Sequence, residues 1–200
     1  MNGLINRAIA LFMRDSYGEA LWKEIVTALD AGEAAFEPLM PCDPAVTCAL
    51  IAASAARLAR APEDLLEDLG TYLVSHPRAE AVRRLLRFGG VDFADFLHSL
   101  EDLPGRARLA MADLDLPEIR LHAQGPGRYR VEVGLRAADD LRVGPVLIGV
   151  LRAMADDYGA LVLLDHRGCD GRREMIEVRL LDAAHADGRA FDLGAGQVAR

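Results

Sequence analysis

The sequence has few cysteines, no long apolar run and no surplus of positive charge. The three cysteines, Cys42, Cys48 and Cys169, are odd in number and scattered, so they do not form a disulfide framework. Cys42 and Cys48 stand too far apart for a zinc knuckle and no matching pair follows, which leaves reduced thiols in a cytosolic chain as the expectation. No apolar stretch approaches the roughly 18 residues that a membrane span needs. The start, Met1 to Phe12, carries Arg7 within its apolar stretch and does not read as a signal peptide. With 23 basic against 31 acidic residues the net charge is −8, which argues against a nucleic-acid backbone as partner and for a soluble, cytoplasmic protein. Nor is there a G-x-S-x-G, an H-E-x-x-H or a P-loop, so no enzyme is expected.

What the chain does have is apolar material, 52% of its residues, arranged first at helical and then at strand spacing. Leu4, Ile5, Ala8, Ile9, Leu11 and Phe12 lie mostly on one face of a helix over 3–17. A second helix follows Gly18 and holds the only tryptophan, Trp22. Pro38, Pro41 and Pro44 punctuate a connector, and Asp43 before Pro44 is the cap of an alanine-rich helix over 44–60. Leu65, Leu66, Leu69 and Leu73 form the stripe of a helix over 63–74 that stops before Pro77. Helices over 79–88 and 91–103 follow, the second ended or kinked by Pro104-Gly105.

From about residue 117 the apolar period shortens to that of a strand. The alternation predicts antiparallel strands near 119–123, 128–135, 160–166 and 174–181. Pro126-Gly127 turns between the first two, and a loop containing Gly168 and Gly171 joins the last two. A helix over 144–158 interrupts them. The expected fold class is α+β, an N-terminal helical half of six or seven helices followed by a small antiparallel sheet with one inserted helix. Residues 1–182 read as a single domain and 183–200 as a tail, with Phe191 and Leu193 its only candidate anchors. Asp156-Asp157, the stretch from Asp165 to Arg173, and the face carrying Arg83, Arg84 and Arg87 read as solvated surface. His122, His166 and His185 read the same way.

Several local patterns, in this order, resemble the heme–nitric oxide/oxygen-binding (H-NOX, or HNOB) family. They are Met1-Asn2-Gly3-Leu4-Ile5 with Phe12, Tyr17-Gly18 and Trp22; Leu65-Leu66-Glu67-Asp68-Leu69-Gly70 with Tyr72-Leu73; Phe96 to Leu103; and Pro145 to Gly149. The similarity spans about residues 1–182. It implies a stand-alone sensor domain that binds heme or another tetrapyrrole and signals nitric oxide to a partner, such as a histidine kinase or a cyclic-di-GMP enzyme. By the same resemblance Leu4, Ile5, Ile9, Leu66, Leu69, Leu73, Pro104, Pro117, Val146 and Val150 line the cofactor pocket. With no tyrosine among them, nitric oxide rather than oxygen is the implied ligand.

Two of the family's anchors are absent. The histidine that ligates the iron follows the Leu-Glu-Asp-Leu stretch in the family; here that position is Pro104, whose ring nitrogen has no donor pair once it is in a peptide. The propionate-clamping Tyr-x-Ser-x-Arg pattern is not reproduced at Arg136, Ala138 and Asp140, nor at Ala137, Asp139 and Leu141. Two other histidines are the alternative metal ligands. His98 lies six residues back, roughly 240° past a full helical turn, and His76 stands after the helix over 63–74. The alternative function is a heme-free divergent member acting as a protein-interaction or regulatory module. With 6% aromatic residues and many alanines, such a chain is expected to close its heme space by collapse rather than by filling it with rings.

Overall fold

The computed structural model describes residues 3–37, 40, 42–111, 114, 116–135 and 142–191. Among these, seven α-helices come first: α1 (Gly3–Tyr17), α2 (Glu19–Ala28), α3 (Pro44–Leu58), α4 (Pro62–Ser75), α5 (Glu80–Arg87), α6 (Phe93–His98) and α7 (Leu103–Ala110). Then follow β1 (Ile119–Gly125), β2 (Arg128–Gly134), α8 (Gly144–Tyr158), β3 (Leu161–Asp170) and β4 (Arg173–Asp182). The expected helical half, antiparallel sheet and single inserted helix are all present. No helix among the described residues is long and apolar enough to cross a membrane.

Local chemistry sets the helix ends. The Asp43 carboxylate accepts the Ala45 N–H at 2.9 Å and starts α3. Pro62 begins α4, with Glu63 and Asp64 in its first turn where the helix dipole favours negative charge. The stretch expected to be one helix over 91–103 is instead broken. It begins at Phe93, tightens into a 3-10 turn over Ser99–Asp102 and resumes at Leu103 as α7. Pro104 has no N–H to give to the Leu100 carbonyl, and the Leu103 N–H donates to that carbonyl in the tighter turn. The proline therefore kinks the helix but does not end it.

The sheet order is β1-β2-β4-β3, antiparallel throughout. Val131 and Val133 of β2 and Ile176 and Val178 of β4 are fully buried on one face. Helix α8 crosses from the middle of the sheet to its edge. The last hairpin is longer than its alternation suggested: Gly168 (φ 78°) does not lie in the loop but inside β3, where a bulge shifts the register between His166 and Cys169.

The apolar interior has two parts. One gathers α1, α2, α3 and most of α4 around Ile9, Phe12, Met13, Trp22, Leu50 and Leu66. The other joins α6, α8 and the sheet around Phe93, Phe96, Leu100, Leu151, Met154 and Val131. Helices α4 and α8 form the seam between them. A Cβ added at Gly70 would lie 2.0 Å from the Val146 carbonyl oxygen, and one at Gly149 would lie 1.9 Å from that of Glu67. The two backbones therefore touch, and only glycine allows the approach.

Candidate functional site

The ten residues that the resemblance assigns to a pocket fall on both sides of this seam. Ile9, Leu66 and Leu69 are buried in the N-terminal cluster, with Ile5, Leu73 and Val146 packed against it. Val150, one turn after Val146, belongs to the C-terminal cluster. Leu4, Pro104 and Pro117 are half-buried. Leu103 and Leu116, which precede the two prolines, pack into or against the C-terminal cluster. The seam thus brings α1, α4 and α8 together. Ile9, Leu66, Leu69 and Val150 are at most 8% exposed, covered already by protein atoms.

The chemistry of this lining is uniform. All ten side chains are aliphatic or proline, and none carries a nitrogen, sulfur or oxygen donor. His98 does not join them: it is exposed on α6, its ring centroid 5.8 Å from that of Tyr129 in an edge-to-face arrangement. His76 stands in a surface groove of about 460 Å3 lined by Phe12, Ser16, Tyr17, Asp68, Thr71, Tyr72, Ser75 and Pro77. There its Nδ1 accepts the Arg78 N–H at 3.3 Å and its ring stacks on Tyr72 at 4.6 Å. The Tyr72 hydroxyl donates to Asp15 at 2.7 Å. Burial, then this hydrogen bond, push its pKa up to about 12. Both candidate propionate-clamp registers, over 136–141, lie outside the described residues, as does Leu193.

Two polar clusters place Asp157, Arg83, Arg87 and His166, all expected on a solvated surface, in or against buried ion pairs. Asp157 is 1% exposed; its Oδ1 accepts from Arg83 Nε at 2.8 Å, and Arg83 itself is 5% exposed. Glu174, fully buried, accepts the Gly144 N–H at the start of α8 at 2.8 Å and has His166 Nε2 3.4 Å away. Charge alone could not reveal either, because each carboxylate is buried by a partner distant in sequence. The sole prior signal was Phe191, named as an anchor and found beside Arg83 and Arg87.

Residues 2–132 match the family described as haem-NO-binding. The chain belongs to that family. Similar solved structures include an H-NOX protein from S. oneidensis in the Fe(II) ligation state, a triple mutant, at 15% identity and a TM-score of 0.76, covering 92% of this chain and 97% of that one. The S. oneidensis protein in its Fe(II)NO state aligns at 15% identity and TM-score 0.74, over 91% and 100%. A T. tengcongensis H-NOX mutant gives 13% and 0.72, over 92% and 99%. At such identities the likeness is one of fold. A search of curated protein sequences gives no match.

The family implies haem, and the residues present do not fit a histidine-ligated one. Pro104, which the sequence resemblance puts at the family's ligand position, lies in the first turn of α7. No other assigned lining residue has an atom able to bind iron.

Proposed function

We propose that this chain is a regulatory domain on the haem-NO-binding fold that works without histidine-ligated haem and acts through contact with a partner protein. The observation that carries this reading is the absence of any side-chain donor atom among the ten residues that the resemblance assigns to the pocket, Pro104 included. Apolar burial alone holds a macrocycle less specifically than burial plus iron ligation. The partner class suggested by the family is a signalling protein such as a histidine kinase or a cyclic-di-GMP enzyme, in the cytoplasm, without nucleic acid and without catalysis by this chain. Residues 1–182 act as one domain in this proposal and 183–200 as its tail.

The match over residues 2–132 favours a second reading, a nitric oxide sensor that holds haem or another tetrapyrrole at the seam. In that reading Leu4, Ile5, Ile9, Leu66, Leu69, Leu73, Pro117, Val146 and Val150 contact the macrocycle, and His98 or His76 would have to move to reach a metal. The absorption spectrum of the purified full chain, before and after addition of haem, separates the two. A protein with no Soret band that gains none on haem addition supports the first reading. A stoichiometric Soret band that shifts with nitric oxide supports the second.

A further inference from the structure

Beyond β4 the chain turns back over the C-terminal end of α8. The Ala186 N–H donates to the Gly159 carbonyl at 3.0 Å, and the Arg189 N–H donates to that of Asp157 at 2.9 Å. Arg83 Nη2 donates to the Ala190 carbonyl at 3.1 Å. The Phe191 ring then lies 5.5 Å from the Arg83 guanidinium and 5.0 Å from that of Arg87. Arg87 meets Tyr158 with its ring centroid 4.0 Å away, so aromatic rings contact it from two residues. A Cβ at Gly159 would fall 2.1 Å from the Ala186 oxygen, so the strand of tail sits flush on the helix end.

The floor and its cover differ in character. The floor is buried and built: side-chain exposures are 1% for Asp157, 7% for Arg83 and 14% for Arg87. The cover is thin. Residues 183–190 are all exposed and only Phe191 is half-buried. The cover also satisfies the floor incompletely. Among the described residues, Arg87 Nε and Nη1 and Asp157 Oδ2 are buried without hydrogen-bond partners, Arg87 Nε standing 3.6 Å from Oδ2. The two unpartnered guanidinium nitrogens cost free energy that an occupant offering acceptors would recover.

We propose that the surface formed by Arg83 and Arg87 of α5 with Asp157 and Tyr158 at the end of α8 is a peptide-docking surface, and that residues 186–191 are its resident, displaceable occupant. The partner that fits is an extended segment with one backbone carbonyl for Arg83, an aromatic side chain in place of Phe191, and an adjacent carboxylate. The carboxylate supplies acceptors to Arg87; what it displaces is the cation–π contact of Phe191 and one long ion pair, 3.8 Å, from the exposed Arg189 of the tail to Asp157. This rests on the reading that the chain acts through protein contact and is independent of haem content, which the absorption test decides separately.

The test is amide hydrogen exchange at Ala186 and Arg189 in the full chain. The probe is a synthetic hexapeptide carrying Phe between two Glu; the controls are its Gln version and inorganic phosphate. The Glu peptide is expected to accelerate exchange at both amides saturably, and to need about tenfold more of the Gln version for the same effect. Phe191→Ala, at a half-exposed position, is expected to raise exchange at both amides about fivefold without peptide. Arg87→Lys, which keeps the charge but not the planar fork, is expected to abolish the preference for Glu over Gln. No acceleration by the Glu peptide overturns the docking surface whatever the variants do. Equal potency of the Gln peptide, or of phosphate alone, overturns the acid-plus-aromatic partner.

Discussion

Pro104 and Tyr72 show how much one side chain settles. Pro104 cannot bind iron, and it is also the reason the helix there tightens into a 3-10 turn. Pro104→His restores both a donor atom and a backbone N–H that can reach Leu100. The expected outcome is a haem affinity at least about tenfold above wild type, read as a Soret band in a haem titration. A wild-type protein that purifies with haem, unchanged in both His98→Ala and His76→Ala, would falsify the ligand assignment. Tyr72 carries a pH dependence. Burial and the hydrogen bond to Asp15 raise its pKa to about 12, above its usual value of 10.0. A folded-state pKa raised in this way contributes stability that is complete below pH 10 and is lost as pH rises through 12. Stability measured by denaturant is expected to fall across that window. In Tyr72→Phe the fall should be smaller, and stability at neutral pH lower by about 1 kcal/mol.

At the scale of elements, the seam depends on two glycines and the α5–α8 junction on one carboxylate, Asp157, which pairs with both Arg83 and Arg87. Gly149→Ala places a methyl against the Glu67 carbonyl, backbone that cannot swing aside, so α4 and α8 must separate. A loss of about 3 kcal/mol in equilibrium unfolding is expected. Asp157→Ala leaves Arg83, nearly as buried as the carboxylate, without its closest and only buried carboxylate partner among the described residues. Removing one member of such a pair costs about 3–5 kcal/mol, whereas Glu80→Ala, at an exposed partner of the same arginine, is expected to cost less than about 1 kcal/mol. A chemical denaturation series of both variants checks the contrast.

For the whole molecule, two apolar clusters meet at helices that belong to both. Because α4 and α8 touch through their backbones, neither half can open without exposing the other. The fluorescence of Trp22, buried in the N-terminal cluster, and the far-ultraviolet circular dichroism of the whole chain are expected to report one coincident unfolding transition. Two separated transitions would show that residues 1–182 are not one cooperative domain.

The sequence by itself determined the elements, their order and the absence of a ligand at 104. Helical and strand periods, Asp43 before Pro44 and the turn at Pro126-Gly127 are all local signals, and the antiparallel sheet with α8 inserted follows from them. The tight turn before Pro104 and the bulge at Gly168 were not legible, since each depends on how the chain packs around it. Tertiary structure alone decided which charges are buried. Asp157 looked like half of a solvated acidic pair, and Arg83 and Arg87 looked like an exposed helix face. They lie more than 60 residues apart, and only the packing of α5 on α8, closed by a tail whose Phe191 gave the sole hint, takes them out of water. Burial of charge depends on the partner rather than the residue, so it becomes readable only when the fold has chosen the partner.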